Sequence, residues 1–214
     1  MDKSLKRENL KEKIISETFQ WVKANSLEDL SVREISKTIG INIASINYYF
    51  AGKENLLTEV FKYCWLKRTK EIELLAKKEL SSSSFSAKNF FSNVYDLFIS
   101  SPEEVAFVLK AMLNSRMKDK SGNFKSVFES SFPTPPGTKA FNDIIHRELG
   151  SETKEEKVHF IIHNLNQVLY MNTAILYSNV VGNNPDHPKD HKMLGVESLK
   201  ENFLNLVKIL MTHQ

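Results

Sequence analysis

The chain has 214 residues, a net charge of +3, 41% hydrophobic and 26% charged residues, the proportions of a globular protein with a sizeable core. Seven glycines and six prolines exclude fibrous and turn-dense all-β architectures, and the single Cys64 excludes an internal disulfide framework and a cysteine-rich zinc site. No apolar run reaches the ~18 residues that cross a bilayer, and the charged N-terminus is unlike a signal peptide, so the expectation is a cytoplasmic protein that does not enter membranes. All the surplus charge lies early: residues 1–80 hold 15 Lys/Arg against 12 Asp/Glu, whereas the remainder balances at 14 of each. Such an excess suits phosphate binding, and equally a solvated basic helix face.

Helical periodicity dominates. In Lys6–Ala24, Leu10, Ile14, Ile15, Thr18, Phe19 and Val22 recur at steps of three and four. After a break at Asn25-Ser26, with Leu27 and Leu30 as staple residues, Ser31 and Glu34 form a capping box that opens a short helix, Val32–Ile39. Gly40 suits the left-handed turn that closes it. Asn42 then caps Ile43–Phe50, and Gly52 is expected to end that helix before a longer one from Lys53 to about Lys78. Serines 81–84 read as a loop. Further helices are expected at Ala87–Ile99, Pro102–Met117, Lys139–Leu149, Lys154–Val181 and Met193–Met211, with long connections at Lys118–Gly137 and Gly182–Lys192. No strand pattern stands out, so the expected fold class is all-α.

Ser31–Phe50 is the informative segment. Two helices of about eight residues meet at Gly40-Ile41-Asn42, the layout of a helix-turn-helix. Ile41 plugs the angle, and Ile35, Ile39 and Ile46 anchor both helices to the first. With Ile46 and Phe50 inward, Ile43, Ala44, Ser45, Asn47, Tyr48 and Tyr49 take the outer and flanking faces. Small residues at the helix start let it enter a major groove, where backbone amides and Ser45 can meet phosphate. Asn47 has the donor and acceptor that match adenine's N6 and N7. Tyr48 and Tyr49 can reach phosphates or a thymine methyl, and Lys53 can clamp a phosphate. On the turn glycine alone, the segment reads equally as two packed helices of a bundle.

The longer string decides between them. Lys13-Ile14-Ile15, Ser-Val-x-Glu-Ile-Ser, Gly-Ile-Asn-Ile-Ala-Ser-Ile-Asn-Tyr-Tyr-Phe and Gly-Lys-Glu-Asn-Leu-Leu, in this order and spacing, resemble the N-terminal DNA-binding domain of the tetracycline-repressor (TetR/AcrR) family over about 60 residues. The resemblance implies a three-helix helix-turn-helix domain at 1–53, followed by a helical ligand-binding and dimerisation domain at 54–214. It implies a homodimeric repressor that binds a palindromic double-stranded DNA operator and is released by a small molecule, which the fourteen phenylalanines and six methionines suggest is largely apolar. Carried over by position, Ile43, Ala44, Ser45, Asn47, Tyr48 and Tyr49 contact base and backbone. Ser31, Val32 and Arg33 lie near phosphates, as does Lys53. Many members have tyrosine where Asn47 stands, so adenine readout by Asn47 is read from its chemistry instead. Ile43 is apolar where polar residues are common, which suits a thymine methyl or plain packing.

The apolar faces of Lys154–Val181 (Val158, Ile161, Ile162, Leu165, Val168, Leu169, Ala174, Ile175) and Met193–Met211 (Val196, Leu199, Phe203, Leu206, Val207, Leu210) would close a four-helix bundle between subunits, or complete one chain's core. Phe90, Phe91, Phe98, Phe107, Met112 and Met117 are material for an apolar pocket between Ala87 and Tyr177, or for the core. His159 and His163 have i, i+4 spacing with Glu155 a turn earlier, but Phe160 follows the first histidine and the zinc-peptidase pattern is missing, so neither metal nor cofactor is expected. Cys64 reads as a small core hydrophobe. The competing class is a helical small-molecule-binding or enzymatic protein with a relic helix-turn-helix, disfavoured by intact cap, turn and plug residues and by the lack of a catalytic set.

Overall fold

The computed structural model describes residues 3–25, 29–114, 116–118, 124–126, 134–181 and 195–212. Among them the helices are α1 Lys3–Ala24, α2 Val32–Ile39, α3 Ile43–Phe50, α4 Lys53–Leu80, α5 Ala87–Ile99, α6 Pro102–Asn114, α7 Thr138–Leu149, α8 Glu155–Val181 and α9 Val196–Leu210. The expected all-α class holds. One expectation fails: α6 stops at Asn114 rather than Met117, and Arg116–Lys118 (β1) pairs antiparallel with Phe124–Ser126 (β2). Turn-forming Ser121-Gly122-Asn123 stands between the two in sequence, but strands of three residues are too short to show alternation. Leu27, residues 182–192, and the side chains of Met112 and Met117 lie outside what is described.

The chain divides into two compact units, residues 1–67 with 107–132, and residues 68–106 with 133–214. In the first, α1, α2, α3 and the start of α4 bury Ile14, Phe19, Val22, Leu30, Ile35, Ile46, Phe50, Leu56, Val60 and Phe61. Cys64 is buried with them, as its apolar stripe predicts. Thr18 enters this core by giving its hydroxyl to the Ile14 carbonyl at 2.6 Å, which satisfies it locally.

The second unit is built on α5, whose Phe90, Phe91, Val94, Tyr95 and Phe98 are all inside. Phe90, Phe91 and Phe141 of α7 form an edge-to-face triad with centroids 5.0–5.8 Å apart, and Tyr95 packs on Phe203 of α9 at 5.2 Å. Phe90, Phe91 and Phe98 therefore serve the core. Gly137 precedes α7 at φ +77°, where a Cβ would sit 2.6 Å from Ile72, so both backbone and space require glycine. The apolar residues once assignable to a subunit interface turn out to serve this unit's own interior: Val158, Ile161, Ile162, Leu165 and Leu169 of α8, with Leu199, Phe203 and Val207 of α9. Outside remain Phe160, Met171, Val196 and Ile209.

Candidate nucleic-acid interface

The helix-turn-helix is fixed by its caps. Ser31 Oγ accepts from the Glu34 amide at 3.1 Å and its carbonyl from Ile35, so the start of α2 is satisfied. Gly40 adopts φ 72°, and the amides of Gly40 and Ile41 both return to the Ser36 carbonyl. The chain then reverses in two residues. Asn42 opens α3 by accepting from the Ala44 amide at 2.8 Å through Oδ1 and from Ser45 through its carbonyl at 2.9 Å. The end of α3 departs from expectation. Ala51, not Gly52, takes the left-handed conformation (φ 55°) and donates to the Asn47 carbonyl, a conformation costing a residue with a Cβ about 1 kcal/mol.

Packing then decides which face is presented. Ile35 and Ile46 are fully buried, Phe50 nearly so, while Ile39 and Ile41 are half-buried rather than interior. Ile43, Ala44, Asn47 and Tyr48 are exposed, Tyr48 at 70%. Ser45 and Tyr49 are half-exposed, and Tyr49 lies between Tyr48 (5.1 Å, edge-on) and Phe50 (6.2 Å), which stiffens it against the helix. Arg33 is exposed, whereas Ser31, Val32 and Lys53 are partly so. All ten candidate residues thus have surface in the described structure. The amides of Ala44 and Ser45, offered by sequence to phosphate, already have Asn42 as acceptor, leaving Ser45's hydroxyl and side chains as the stronger contact groups.

One element of this site had no sequence signal. Lys11 of α1 reaches Glu59 of α4 at 3.3 Å and stands 6.0 Å from the Phe50 ring centroid, tying the first helix to the end of α3 and to α4. Lys62 approaches Glu59 from the other side at 2.9 Å. Partial burial pushes the Glu59 carboxyl upward, but hydrogen bonds from Lys62 and Lys11 outweigh it and hold it below the ordinary carboxylate range. A depressed carboxyl stabilises the fold fully above that ordinary range and loses the contribution as pH falls through its lowered value. Acid unfolding followed by circular dichroism is therefore expected to begin nearer neutrality in Glu59→Gln, with the difference from wild type vanishing at low pH.

Two partners of the remaining histidines are visible. His163 is exposed and pairs with Gln167 at 2.7 Å, while Glu155 faces His146 at 3.4 Å. Among the described residues no group of three His, Cys, Asp or Glu is placed to hold a metal, and no helix is long and apolar enough to cross a membrane.

Capped helices, a two-residue reversal and an exposed third-helix face define a helix-turn-helix protein. Residues 14–60 match the family described as bacterial regulatory proteins, tetR family. Fold comparison extends the likeness along the chain. A TetR transcriptional regulator from Rhodococcus sp. RHA1 aligns over 98% of this chain and 97% of its own, at 12% identity and TM-score 0.52. A putative transcriptional regulator from Pseudomonas aeruginosa PAO1 aligns over 95% and 91%, at 17% identity and TM-score 0.59. A putative tetR family regulator from Shewanella sp. PV-4 aligns over 91% and 96%, at 16% identity and TM-score 0.52. Among curated proteins none matches the sequence. The chain therefore carries a tetR-family N-terminal domain on a TetR-like helical fold.

Proposed function

We propose that the chain is a homodimeric, sequence-specific transcriptional repressor, released from a palindromic operator by a small, largely apolar molecule bound among its C-terminal helices. One observation carries the DNA-binding part: α3 is capped at both ends by its own chain and still presents Ile43, Ala44, Asn47 and Tyr48 to solvent. A helix held so firmly and left bare on one side suits insertion into a major groove. Ser31, Val32 and Arg33 flank it at the start of α2, with Ser45 and Tyr49 on α3's flanks. Lys53 occupies the first position of α4, where the helix dipole disfavours a cation and an incoming phosphate would offset the cost.

Two recognition helices about 34–36 Å apart dock in successive major grooves. A molecule that binds better to a dimer of another separation lowers operator affinity by its difference in affinity for the two forms. Filter retention of genomic fragments at two salt concentrations tests the reading: saturable, salt-sensitive and sequence-selective binding is expected, and uniform retention of all fragments ends it. Within a selected operator, Asn47→Ala is expected to cost about 1–3 kcal/mol and relax preference at one base, whereas Tyr48→Ala weakens all sequences alike. Lys53→Ala is expected to do the same and to reduce the salt slope by about one.

A further inference from the structure

Within the second unit, α4, α5, α6 and α8 each bring a residue to one charged cluster that the reading above does not use. Arg68 of α4 is 5% exposed and Glu104 of α6 only 2%. Arg68 Nη1 donates to the Leu97 carbonyl at 2.8 Å and lies 3.6 Å from Glu71 Oε2. The guanidinium stands 5.2 Å from the Phe98 ring centroid, and Tyr170 of α8 meets the same ring edge-on at 5.4 Å. Nη2 lies 3.4 Å from Glu104 Oε1, close enough to pair as ions, yet it makes no hydrogen bond among the described residues.

A buried cation rarely leaves a donor unused, because in water the same N–H would be bonded. An unused N–H on a buried guanidinium calls for an oxygen from elsewhere. Surface for its approach is present beside it. On the inner face of α8, Leu165, Asn166, Leu169 and Thr173 are buried, whereas Tyr170 keeps part of its surface. Burial still raises its phenol, with Arg68 opposing and Glu104 adding to the rise, so the hydroxyl stays protonated and able to donate. Two donors, from α4 and α8, thus stand beside the Phe98 ring. The charge of a visiting group follows from what is already there. Arg68 faces two carboxylates, Glu71 and Glu104. A further anion would be repelled by both, and a cation by Arg68, where burial leaves little screening. An uncharged acceptor takes the hydrogens and adds no charge.

We propose that Arg68 Nη2 and the Tyr170 hydroxyl are the polar anchor of the small-molecule site, and that they select an uncharged carbonyl compound, a ketone or ester, whose apolar body packs on Phe98. The inference rests on the reading that these helices take a small molecule, and it adds the chemistry that selects one. Its test is calorimetric titration of the full-length protein with four probes that share a ring and are close in size: acetophenone, benzoate, benzylamine and ethylbenzene. Acetophenone is expected to bind about tenfold more tightly than each of the other three. Its advantage over ethylbenzene is expected to fall severalfold in Tyr170→Phe, which keeps the ring on Phe98. In Arg68→Met/Glu104→Leu, which removes both charges together, that advantage is expected to vanish. Ethylbenzene itself should bind both variants as it binds wild type, whereas a purely structural role would weaken both probes alike. A wild-type chain that binds none of the four, or binds any of the others as tightly as acetophenone, overturns the inference. So does a Tyr170→Phe chain with an undiminished advantage, whether or not the double variant folds. A wild-type chain that prefers acetophenone but enriches no DNA sequence overturns the repressor reading instead, so the two failures are distinguishable.

Discussion

A chain carrying Phe160→Glu and Met171→Glu is expected to sediment as a monomer and to bind a palindromic duplex at least a hundredfold more weakly than wild type. Both side chains stand on α8 and both are largely exposed, 59% and 62%. They are eleven positions apart, which at 100° per residue leaves them only about 20° apart around the helix, on one stripe. Gln167 and Asn164 lie between them on that stripe, and His163 beside it binds Gln167. Exposed large apolar groups on one face of a long helix are what a partner would cover. A carboxylate at each site leaves the protomer's contacts intact, so its helical circular dichroism is expected to stay unchanged. A subunit interface, by contrast, would have to bury four charges across the two-fold axis, which it does not tolerate. Losing the second half-site removes the effective-concentration gain of a tethered pair, typically ~10²–10⁴. The monomer's affinity for a single half-site should therefore match that of wild type. Sedimentation equilibrium and titration on full and half operators check both parts, and a variant that stays dimeric sinks the assignment of this face.

The local rules written into the sequence proved sufficient for the helix-turn-helix, because its elements are held by contacts between neighbours in the chain. Ser31 and Glu34, Gly40 and Ser36, and Asn42 and Ala44 are separated by two to four residues, and each can be read from residue type. What depends on contacts far apart in sequence could not be read that way. Lys11 and Glu59 are 48 residues apart, and nothing in either segment announces the other. The same holds for Arg68, which a helical wheel places among apolar residues with no hint that Glu104 and the Leu97 carbonyl await it. The α8 and α9 stripes were ambiguous for a related reason. A helix apolar on more than one face can pack within its own chain or against a second copy. Only burial sorts Leu165 and Phe203 inward from Phe160 and Ile209 outward. Ala51 misled for the opposite reason: Gly52 is the better left-handed residue, yet the register set by Phe50 in the core places the turn one residue earlier.

Ile46→Ala is expected to cost about 2–5 kcal/mol and to abolish operator binding without touching a DNA-contacting atom. Ile46 is fully buried at the middle of α3, turned about 100° around the helix from Asn47 and about 160° from Ala44 and Tyr48, and Ile35 of α2 is equally enclosed. An eight-residue helix is far below the length that is stable alone, so α3 exists because this side chain and Phe50 are inside. Removing three carbons leaves a cavity in a small core, with few other apolar contacts to hold the recognition helix. Phe90, Phe141 and Phe203 belong to the other unit's core and are unaffected. Hydrogen exchange is therefore expected to lose protection across residues 32–50 while amides of α5, α7 and α8 retain theirs. The volume-conserving Ile46→Leu should cost under ~1.5 kcal/mol and restore most of the binding, since neither residue meets the duplex. If Ile46→Ala keeps both protection over 32–50 and wild-type affinity, α3 is not held by its inward face, and the presentation of Asn47 and Tyr48 needs another cause.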